Sequence, residues 1–266
     1  MLHRPLTLIY NHRVLLKRMC WRDISSRYRE SVLGSLWAIL NPLLMLSIYT
    51  FVFGFVLKSR WPGQGDNKVL FSLTLFAGLI IHGVFAETAS RSTSVISENA
   101  NYVKKVVFPL EILPLTVLGS AAFHAGLSLC LLVVANALIG TGLHWTVVLV
   151  PVIAVPILLA TSGMAWILAS LGVYLRDASQ IVTFVVALLM YLSPVFYPLA
   201  SFPERYRPLL YLNPLTLPIE QLRDLVIRGE VPSLVGVAAV YGVAILVTGM
   251  GLWFFERSRV GFADVV

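Results

Sequence analysis

The 266-residue sequence is 58% hydrophobic and only 12% charged, whereas soluble proteins average roughly 45 to 50% apolar and about 25% charged residues. This composition excludes a water-soluble globular domain and predicts an all-α integral membrane protein. The net charge of +7 does not indicate nucleic-acid binding, because the basic residues are spread between apolar runs instead of forming one polar face.

Residues 1–30 form a basic N-terminal segment, which carries seven of the 20 Lys and Arg residues. We expect no cleaved signal peptide, because no short apolar core with a small-residue cleavage site precedes the first long apolar run. Arg18, Arg22 and Arg29 fall on one stripe of a helix. We therefore predict an amphipathic interfacial helix that contacts membrane lipids through their phosphates.

Six apolar runs predict six transmembrane helices, since about 20 mostly apolar residues cross a hydrocarbon core of about 30 Å. The predicted spans are Leu33–Leu57, Leu70–Ala89, Leu110–Ile139, Val147–Tyr174, Ile181–Pro194 and Leu234–Phe255. Six spans place both ends of the chain on one side, which also receives 13 of the 20 Lys and Arg residues. The positive-inside rule assigns that side to the cytoplasm. Trp61 is predicted to lie in the outer aromatic belt.

The segment Pro194–Pro232 is too long and too rich in proline to be a simple loop. Its apolar pieces are too short to span, which predicts re-entrant or interfacial helices. The best helix covers Leu217–Arg228, and we expect it on the outer surface. Its spacing allows Glu220 to pair with Arg223 and Asp224 to pair with Arg228.

The sequence contains no P-loop, no GxSxG and no HExxH, and no histidine has a second ligand at metal spacing. We therefore predict that this chain is not an enzyme and holds no metal or cofactor. His82, Glu87 and His124 lie in or near spans. They are either functional groups or side chains satisfied by neighbouring helices and lipid headgroups.

Four strings resemble the transmembrane subunit of ABC-2 type exporters of cell-surface polysaccharides. They are Arg27–Leu44 (RYRESVLGSLWAILNPLL), Asn101–Pro114 (NYVKKVVFPLEILP), Tyr174–Asp177 (YLRD) and the proline-rich segment Ser193–Gly229. The resemblance covers nearly the whole chain in the right order. It implies a homodimer paired with two copies of a separate ATPase subunit. That subunit would bind ATP and Mg through the P-loop that this chain lacks.

The resemblance also assigns roles to particular segments. Residues 91–105 would form a coupling helix that contacts the ATPase, against the alternative of a solvated loop; the residues concerned are Glu98, Asn99, Asn101, Tyr102, Lys104 and Lys105. Arg27 and Arg29 would receive the diphosphate of a polyprenyl-diphosphate-linked polysaccharide, since guanidinium groups bind phosphate through paired donors, or would only meet lipid headgroups. Residues 194–232 would form an outer gate with Asn213, Pro214, Glu220 and Arg223, whose charges could instead be simple surface pairs.

Aromatic rings suit a sugar pore, because pyranose faces stack on them, although most aromatic residues in spans pack against helices or lipid. The candidates are Trp37, Tyr49, Phe51, Phe55, Tyr191, Phe196 and Tyr197.

The sequence thus predicts three parts: an interfacial helix (1–30), spans one to five with the coupling and gate segments (31–232), and span six with a cytoplasmic tail (233–266). Together they would form the channel subunit of an ATP-driven exporter in the bacterial inner membrane. We expect an O-antigen-like lipid-linked glycan as its substrate, moved by alternating opening or by stepwise feeding. The alternatives are a capsular polysaccharide, teichoic acid or a small lipid or drug; a membrane-embedded glycan-processing enzyme or a passive scaffold is less favoured.

Overall fold

The structure, a computed structural model, describes residues 3–29, 31–56, 61, 67–104 and 108–265, and these residues form helices and connecting turns without a strand. The helices are α1 His3–Asn11, α2 Arg13–Ser26, α3 Trp37–Tyr49, α4 Lys68–Ser92, α5 Val95–Glu98, α6 Ala100–Val103, α7 Ile112–Ile139, α8 Val150–Tyr174, α9 Ala178–Leu192, α10 Arg207–Tyr211, α11 Thr216–Arg223, α12 Leu234–Ser258 and α13 Phe262–Val265. Two of them continue as π-helical turns, α3 through Thr50–Val56 and α11 through Asp224–Arg228. The all-α prediction is confirmed.

Among the described residues, five helices are long and apolar enough to cross a membrane. They cover Gly34–Val56, Lys68–Ser92, Ile112–Ile139, Trp145–Tyr174 and Leu234–Val265. The first four agree with the predicted spans to within three residues at each end, and the last begins as predicted but ends ten residues later. The remaining predicted span corresponds to α9, an apolar helix of 15 residues, about 22 Å long. Because α9 is shorter than the hydrocarbon core, the count of six spans stays a prediction.

Both chain termini pack into one end of the bundle, which we call the proximal end. There Met19 of α2, Ile112 of α7, Phe255 of α12 and Phe262 of α13 share one buried cluster. A second buried cluster, at the end we call distal, joins the first half of α4 to α11 and to the end of α7. The chain therefore folds around two packed ends, each built from segments that are distant in sequence.

Helices α8 and α12 are in backbone contact over much of their length, because small residues face each other. A Cβ atom on Gly251 would collide with the carbonyl of Gly163, and one on Gly163 would collide with the carbonyl of Val247. Thr248 donates a hydrogen bond from its hydroxyl to the Leu159 carbonyl at 2.7 Å. Such small-residue contacts with an interhelical hydrogen bond are typical of helices that pack within a bilayer.

The N-terminal segment and the predicted coupling helix both differ from expectation. The N-terminal helix is interrupted at His12, and α2 ends at Ser26, so Arg29 does not lie on the predicted helical stripe. The predicted single helix 91–105 is divided into the end of α4, α5 and α6, because the backbone turns at Asn99 (φ −113°, ψ 32°). Local turn geometry at these positions outweighs the helical pattern.

The predicted surface position of the helix in the proline-rich segment is wrong. Ile219 and Leu222 of α11 are completely or almost completely buried, and the helix packs among α4, α8 and α12. Trp61, expected in an aromatic belt, is also buried, at 4% exposure. The apolar stripe of this helix therefore faces protein, which a short apolar pattern cannot distinguish from a membrane surface.

We expect Gly251→Leu to destabilise the protein, because the new side chain meets the α8 backbone and overpacking costs about 1 to 3 kcal/mol or more. The measurement is the melting temperature of the detergent-solubilised protein. Gly242→Leu is the matched control on the same helix, since a Cβ atom at Gly242 would have no neighbouring atom within 4 Å. Equal melting temperatures for the two variants would contradict the close contact of α8 and α12.

Candidate coupling segment, access cavity and gate

Residues 95–104, which we call the coupling segment, have one face packed on the protein and one face exposed. Val95 and Ile96 are buried, whereas Glu98, Asn101 and Lys104 are exposed. Asn99 donates from its side-chain amide to the Val95 carbonyl at 2.8 Å, which holds the turn between α5 and α6. Lys105 lies outside the described residues. The exposed side chains of this segment are available to a partner protein.

The same segment is anchored to two other helices. Gly172 of α8 lies so close to the Thr93 carbonyl that any Cβ would collide with it. Tyr102 stacks on Phe108, with ring centroids 4.4 Å apart, and accepts a hydrogen bond from Arg22 of α2 at 3.1 Å. Tyr102, predicted to contact the ATPase, is therefore engaged within this chain. A force on the segment would reach both α8 and α2.

Four charged side chains join α2 to the end of α4. Arg91 donates to both carboxylate oxygens of Asp23, at 2.6 and 3.0 Å, and lies 3.4 Å from Glu87. Arg27, directly after α2, pairs with Glu87. Burial alone would raise the pKa of Asp23, but the hydrogen bonds from Arg91 outweigh it and the pKa lies below its ordinary value. Asp23 is therefore ionised at neutral pH, and the cluster is balanced in charge.

A cavity of about 390 Å³ opens beside this cluster. Its lining includes Arg27, Tyr28, Trp37, Asn41, Tyr49, His82, Glu87 and His124. The Tyr28 hydroxyl and Nε2 of His124 lie 2.7 Å apart, and Nε2 of His82 lies 3.2 Å from the Val186 carbonyl of α9. Both histidines thus have a partner on another segment. We call this space the access cavity.

The two arginines predicted to share a phosphate site do not line the same cavity. Arg29 lies instead on a separate polar cavity of about 360 Å³, together with Arg22, Asp23, Glu98 and Asn99. The structure therefore brings Arg27 together with two pore candidates, Trp37 and Tyr49, and places Arg29 beside the coupling segment. The turn that follows α2 directs the two side chains to different spaces.

Three of the predicted pore aromatics lie in one group, and the others do not join it. Tyr49 and Phe196 both lie near Phe53, with ring centroids 6.2 and 5.7 Å away, and Tyr191 lies 6.1 Å from Phe196. Tyr197 stacks on Phe202 at 5.6 Å. Phe51 and Phe55 are 63% and 57% exposed, and Tyr191 is exposed to a similar extent, at 66%. Phe53, which the sequence-based selection missed, is the ring that joins the first group.

Arg223 connects three separate segments at the distal end. Its guanidinium group donates to the carbonyls of Thr74 (2.9 Å), Pro194 (2.6 Å) and Val195 (3.0 Å) and to the Glu220 carboxylate (2.7 Å). The side chain is completely buried. Burial lowers the pKa of Arg223 to about 10, despite the opposing effect of Glu220, so the group remains charged at neutral pH. The prediction of its pairing with Glu220 is confirmed, but the alternative of a surface pair is wrong.

The surroundings of Arg223 are shaped to hold it. The Trp61 ring covers the guanidinium group at 4.6 Å, a cation–π distance. Gly78 of α4 leaves the room that the group occupies, because a Cβ there would lie 3.0 Å from Nη2. The sequence alone places Arg223 on this helix, but the burial of its side chain depends on residues that are distant in the sequence.

The break between α10 and α11 falls at Asn213 and Pro214, as predicted. Asn213 donates from its side-chain amide to the Ser193 hydroxyl at 2.8 Å and accepts from the Leu215 backbone amide at 3.0 Å. It thereby ties the break to the end of α9. These two buried hydrogen bonds of the Asn213 side chain fix the position at which α11 begins.

The far end of the helix that begins as α11 is closed by side chains from the last turn of α7 and from the connection between α7 and α8. Thr146 donates to the Leu225 carbonyl at 2.5 Å, Asn136 to the Val226 carbonyl at 2.9 Å and Thr141 to the Ile227 carbonyl at 2.8 Å. These carbonyls belong to the final turns of a helix, where intrahelical partners are missing. No sequence motif marks such a long-range cap.

We expect Arg223→Gln to lower the free energy of unfolding by about 3 to 5 kcal/mol, because it leaves buried acceptors without their cation. Arg228→Gln is the matched control: Arg228 also pairs with Glu220, at 3.1 Å, but is partly exposed, so its loss should cost below about 1 kcal/mol. Chemical unfolding in detergent micelles measures both. Similar losses for the two variants would show that Arg223 does not hold the distal end together.

Comparison with known proteins places these features in a family. The ABC-2 type transporter family matches residues 14–227, from α2 to the π-helical turns that follow α11. We call residues 216–228, α11 and these turns, the gate helix. The O-antigen export system permease protein RfbA of Klebsiella pneumoniae is 30% identical over 247 residues, 92% of each chain, and that of Myxococcus xanthus is 30% identical over 260 residues, 97% of each. The polysialic acid transport protein KpsM of Escherichia coli is 27% identical over 248 residues, 91% of this chain and 93% of its own. Because the match extends over the candidate coupling segment, the access cavity and the candidate gate, the chain belongs to the ABC-2 type transporter family.

Proposed function

We propose that this protein is the channel-forming transmembrane subunit of an ATP-driven exporter that moves a lipid-linked, O-antigen-like polysaccharide out of the cytoplasm. The observation that carries the proposal is the similarity to O-antigen export permeases over 92 to 97% of the chain. A capsular polysaccharide of the polysialic acid type is the second candidate, because KpsM of Escherichia coli is similar over nearly the same length.

The energy for transport would come from a separate ATPase subunit that binds ATP and Mg. Two copies of it would dock on the exposed face of the coupling segment, where Glu98, Asn101 and Lys104 are available. The buried face of that segment, and the contact of Thr93, two residues before it, with Gly172 of α8, would make the segment a rigid attachment. Movement of the ATPase would therefore displace the transmembrane helices instead of bending a loop.

The proximal end would face the cytoplasm of a bacterial cell, with the protein in the inner membrane. The excess of basic residues near the termini supports this orientation through the positive-inside rule. The access cavity would then open towards the cytoplasmic leaflet. There Arg27 would receive the diphosphate of a polyprenyl-linked glycan, since a guanidinium group binds phosphate through paired donors, while Arg29 would support the neighbouring polar cavity.

A second copy of the chain would complete the channel. Helices α3 and α9 expose apolar and aromatic side chains along their length, among them Phe51, Phe184 and Tyr191 at 63 to 70% exposure. Two apolar helices that barely pack on the rest of their own chain suit a contact between copies. The aromatic rings around Phe53 and Phe196 would line the path of the sugar, whose apolar faces stack on them.

The proline-rich segment would act as a re-entrant outer gate. Arg223 contacts Thr74 and Gly78, six and ten residues from the start of α4, which corresponds to about 9 to 15 Å along that helix. A segment that reaches this depth from the distal end and returns supports a re-entrant arrangement. Opening would turn α10 and α11 about the break at Asn213 and Pro214.

We expect Glu98→Lys to reduce substrate-stimulated ATP hydrolysis by the partner ATPase roughly tenfold, because reversing a charge on a docking surface costs several kcal/mol. The complex is reconstituted in liposomes and its ATP turnover is measured. Glu204→Lys is the control, since Glu204 is 88% exposed and lies in the distal part of the chain. Equal turnover in both variants and the wild type would contradict docking at this segment.

Deletion of the gene should remove the surface O-antigen and leave its lipid-linked precursor in the inner membrane, because synthesis continues without export. Surface staining and analysis of extracted lipid-linked glycan measure the two effects, with the wild-type gene restored as the control. Loss of a capsule with normal O-antigen would favour the second candidate. Normal levels of both polymers would contradict a role in polysaccharide export.

A further inference from the structure

Glu87 lines the access cavity and pairs with Arg27, the residue expected to meet the substrate phosphate. The two side chains are 24% and 31% exposed, so a ligand in the cavity can reach them. A guanidinium group presents the same fork of donors to a carboxylate as to a phosphate. Glu87 therefore occupies a position on Arg27 that a phosphate group would otherwise take.

Glu87 also has a second cation within reach. Arg91 lies one helical turn further along α4, and its Nη1 atom is 3.4 Å from Oε1 of Glu87. The main partner of Arg91 is Asp23, which accepts two hydrogen bonds from it. If Glu87 left Arg27, it would move towards Arg91 and remain paired. The exchange thus avoids an uncompensated carboxylate, which is the costly outcome in a partly buried site.

We propose that Glu87 is a displaceable carboxylate that closes the phosphate site on Arg27 and determines which lipid anions open it. This inference rests on the proposed function, in which the substrate carries a diphosphate. A phospholipid phosphodiester carries one negative charge and gains little by replacing a carboxylate of the same charge. A diphosphate carries more charge and more acceptor oxygens, so it displaces Glu87 more effectively. The exchange selects the substrate against the far more abundant membrane lipids.

The exchange also has a consequence for the coupling segment. When Glu87 moves towards Arg91, it competes with Asp23 for the same guanidinium group. The pair of Arg91 and Asp23 ties α2 to the end of α4, directly before Thr93, whose backbone lies against α8. Arrival of the diphosphate would therefore loosen the contact between α2 and α4 beside the surface on which the ATPase docks.

The test measures binding of undecaprenyl diphosphate, without glycan, to the complete transporter in phosphatidylethanolamine nanodiscs. We expect Glu87→Gln to tighten binding roughly tenfold, because the amide pairs with Arg27 without a charge. Its preference for the diphosphate over undecaprenyl monophosphate should decrease. Asp264→Asn is the matched control, since Asp264 is an exposed acid in the C-terminal tail, and it should bind like the wild type.

Arg91→Gln gives the opposite expectation, so the inference requires the two variants to change binding in opposite directions. Without its second cation, Glu87 stays on Arg27, and binding of the diphosphate should weaken roughly tenfold. The double variant Arg27→Gln/Glu87→Gln should lose the gain of Glu87→Gln. A purely structural ion pair would instead weaken binding in both Glu87→Gln and Arg91→Gln.

The outcomes separate this inference from the proposed function. If the wild type binds undecaprenyl diphosphate and Glu87→Gln binds it equally or more weakly, the displaceable carboxylate is wrong and the access site stands. If neither protein binds the diphosphate, the access site itself is wrong, and the inference fails with it.

Discussion

The buried charge of Arg223 is the interaction on which the distal half of the protein depends. Its donors meet backbone carbonyls of α4 and of the turn after α9, together with a carboxylate of its own helix. Water is scarce at such a position, so each donor requires a protein partner. Because these partners come from three segments, the gate helix has a single position in which the guanidinium group of Arg223 finds all of its hydrogen-bond acceptors. That requirement fixes the helix more firmly than its short apolar stripe does.

Charges at the proximal end are used differently. Asp23, Arg27, Glu87 and Arg91 are all partly exposed, and partly exposed ion pairs exchange partners at small cost compared with buried ones. One end of the bundle therefore holds a charge that cannot change partners, and the other holds a balanced set that can. This division suits the proposed exporter, in which the substrate would be recognised at one end and retained by the proposed gate at the other.

The sequence predicts local features well and distant contacts poorly. Apolar runs located the long helices, and the proline and asparagine at 213–214 located the break, because both depend on neighbouring residues. The pairs of Glu220 with Arg223 and of Asp224 with Arg228 followed from helical spacing and are present. The burial of Arg223, the bridge between Arg91 and Asp23 and the helix-end cap by Asn136 depend on residues 28 to 149 positions apart. Spacing along the chain carries no signal for such contacts.

Helix α8 joins the two ends of the molecule, and this explains how a movement at one end reaches the other. At the proximal end, Gly172 of α8 lies against Thr93 beside the coupling segment. At the distal end, Thr146, in the turn that leads directly into α8, holds the Leu225 carbonyl of the gate helix. The 25 residues of α8 span about 38 Å. Pro156 removes one backbone hydrogen bond from its interior, and the backbone contact with α12 at Gly163 braces the helix seven residues further on. Because a stiff helix transmits displacement along its axis, α8 connects the proposed ATPase surface to the proposed gate without requiring the substrate path itself to carry the force.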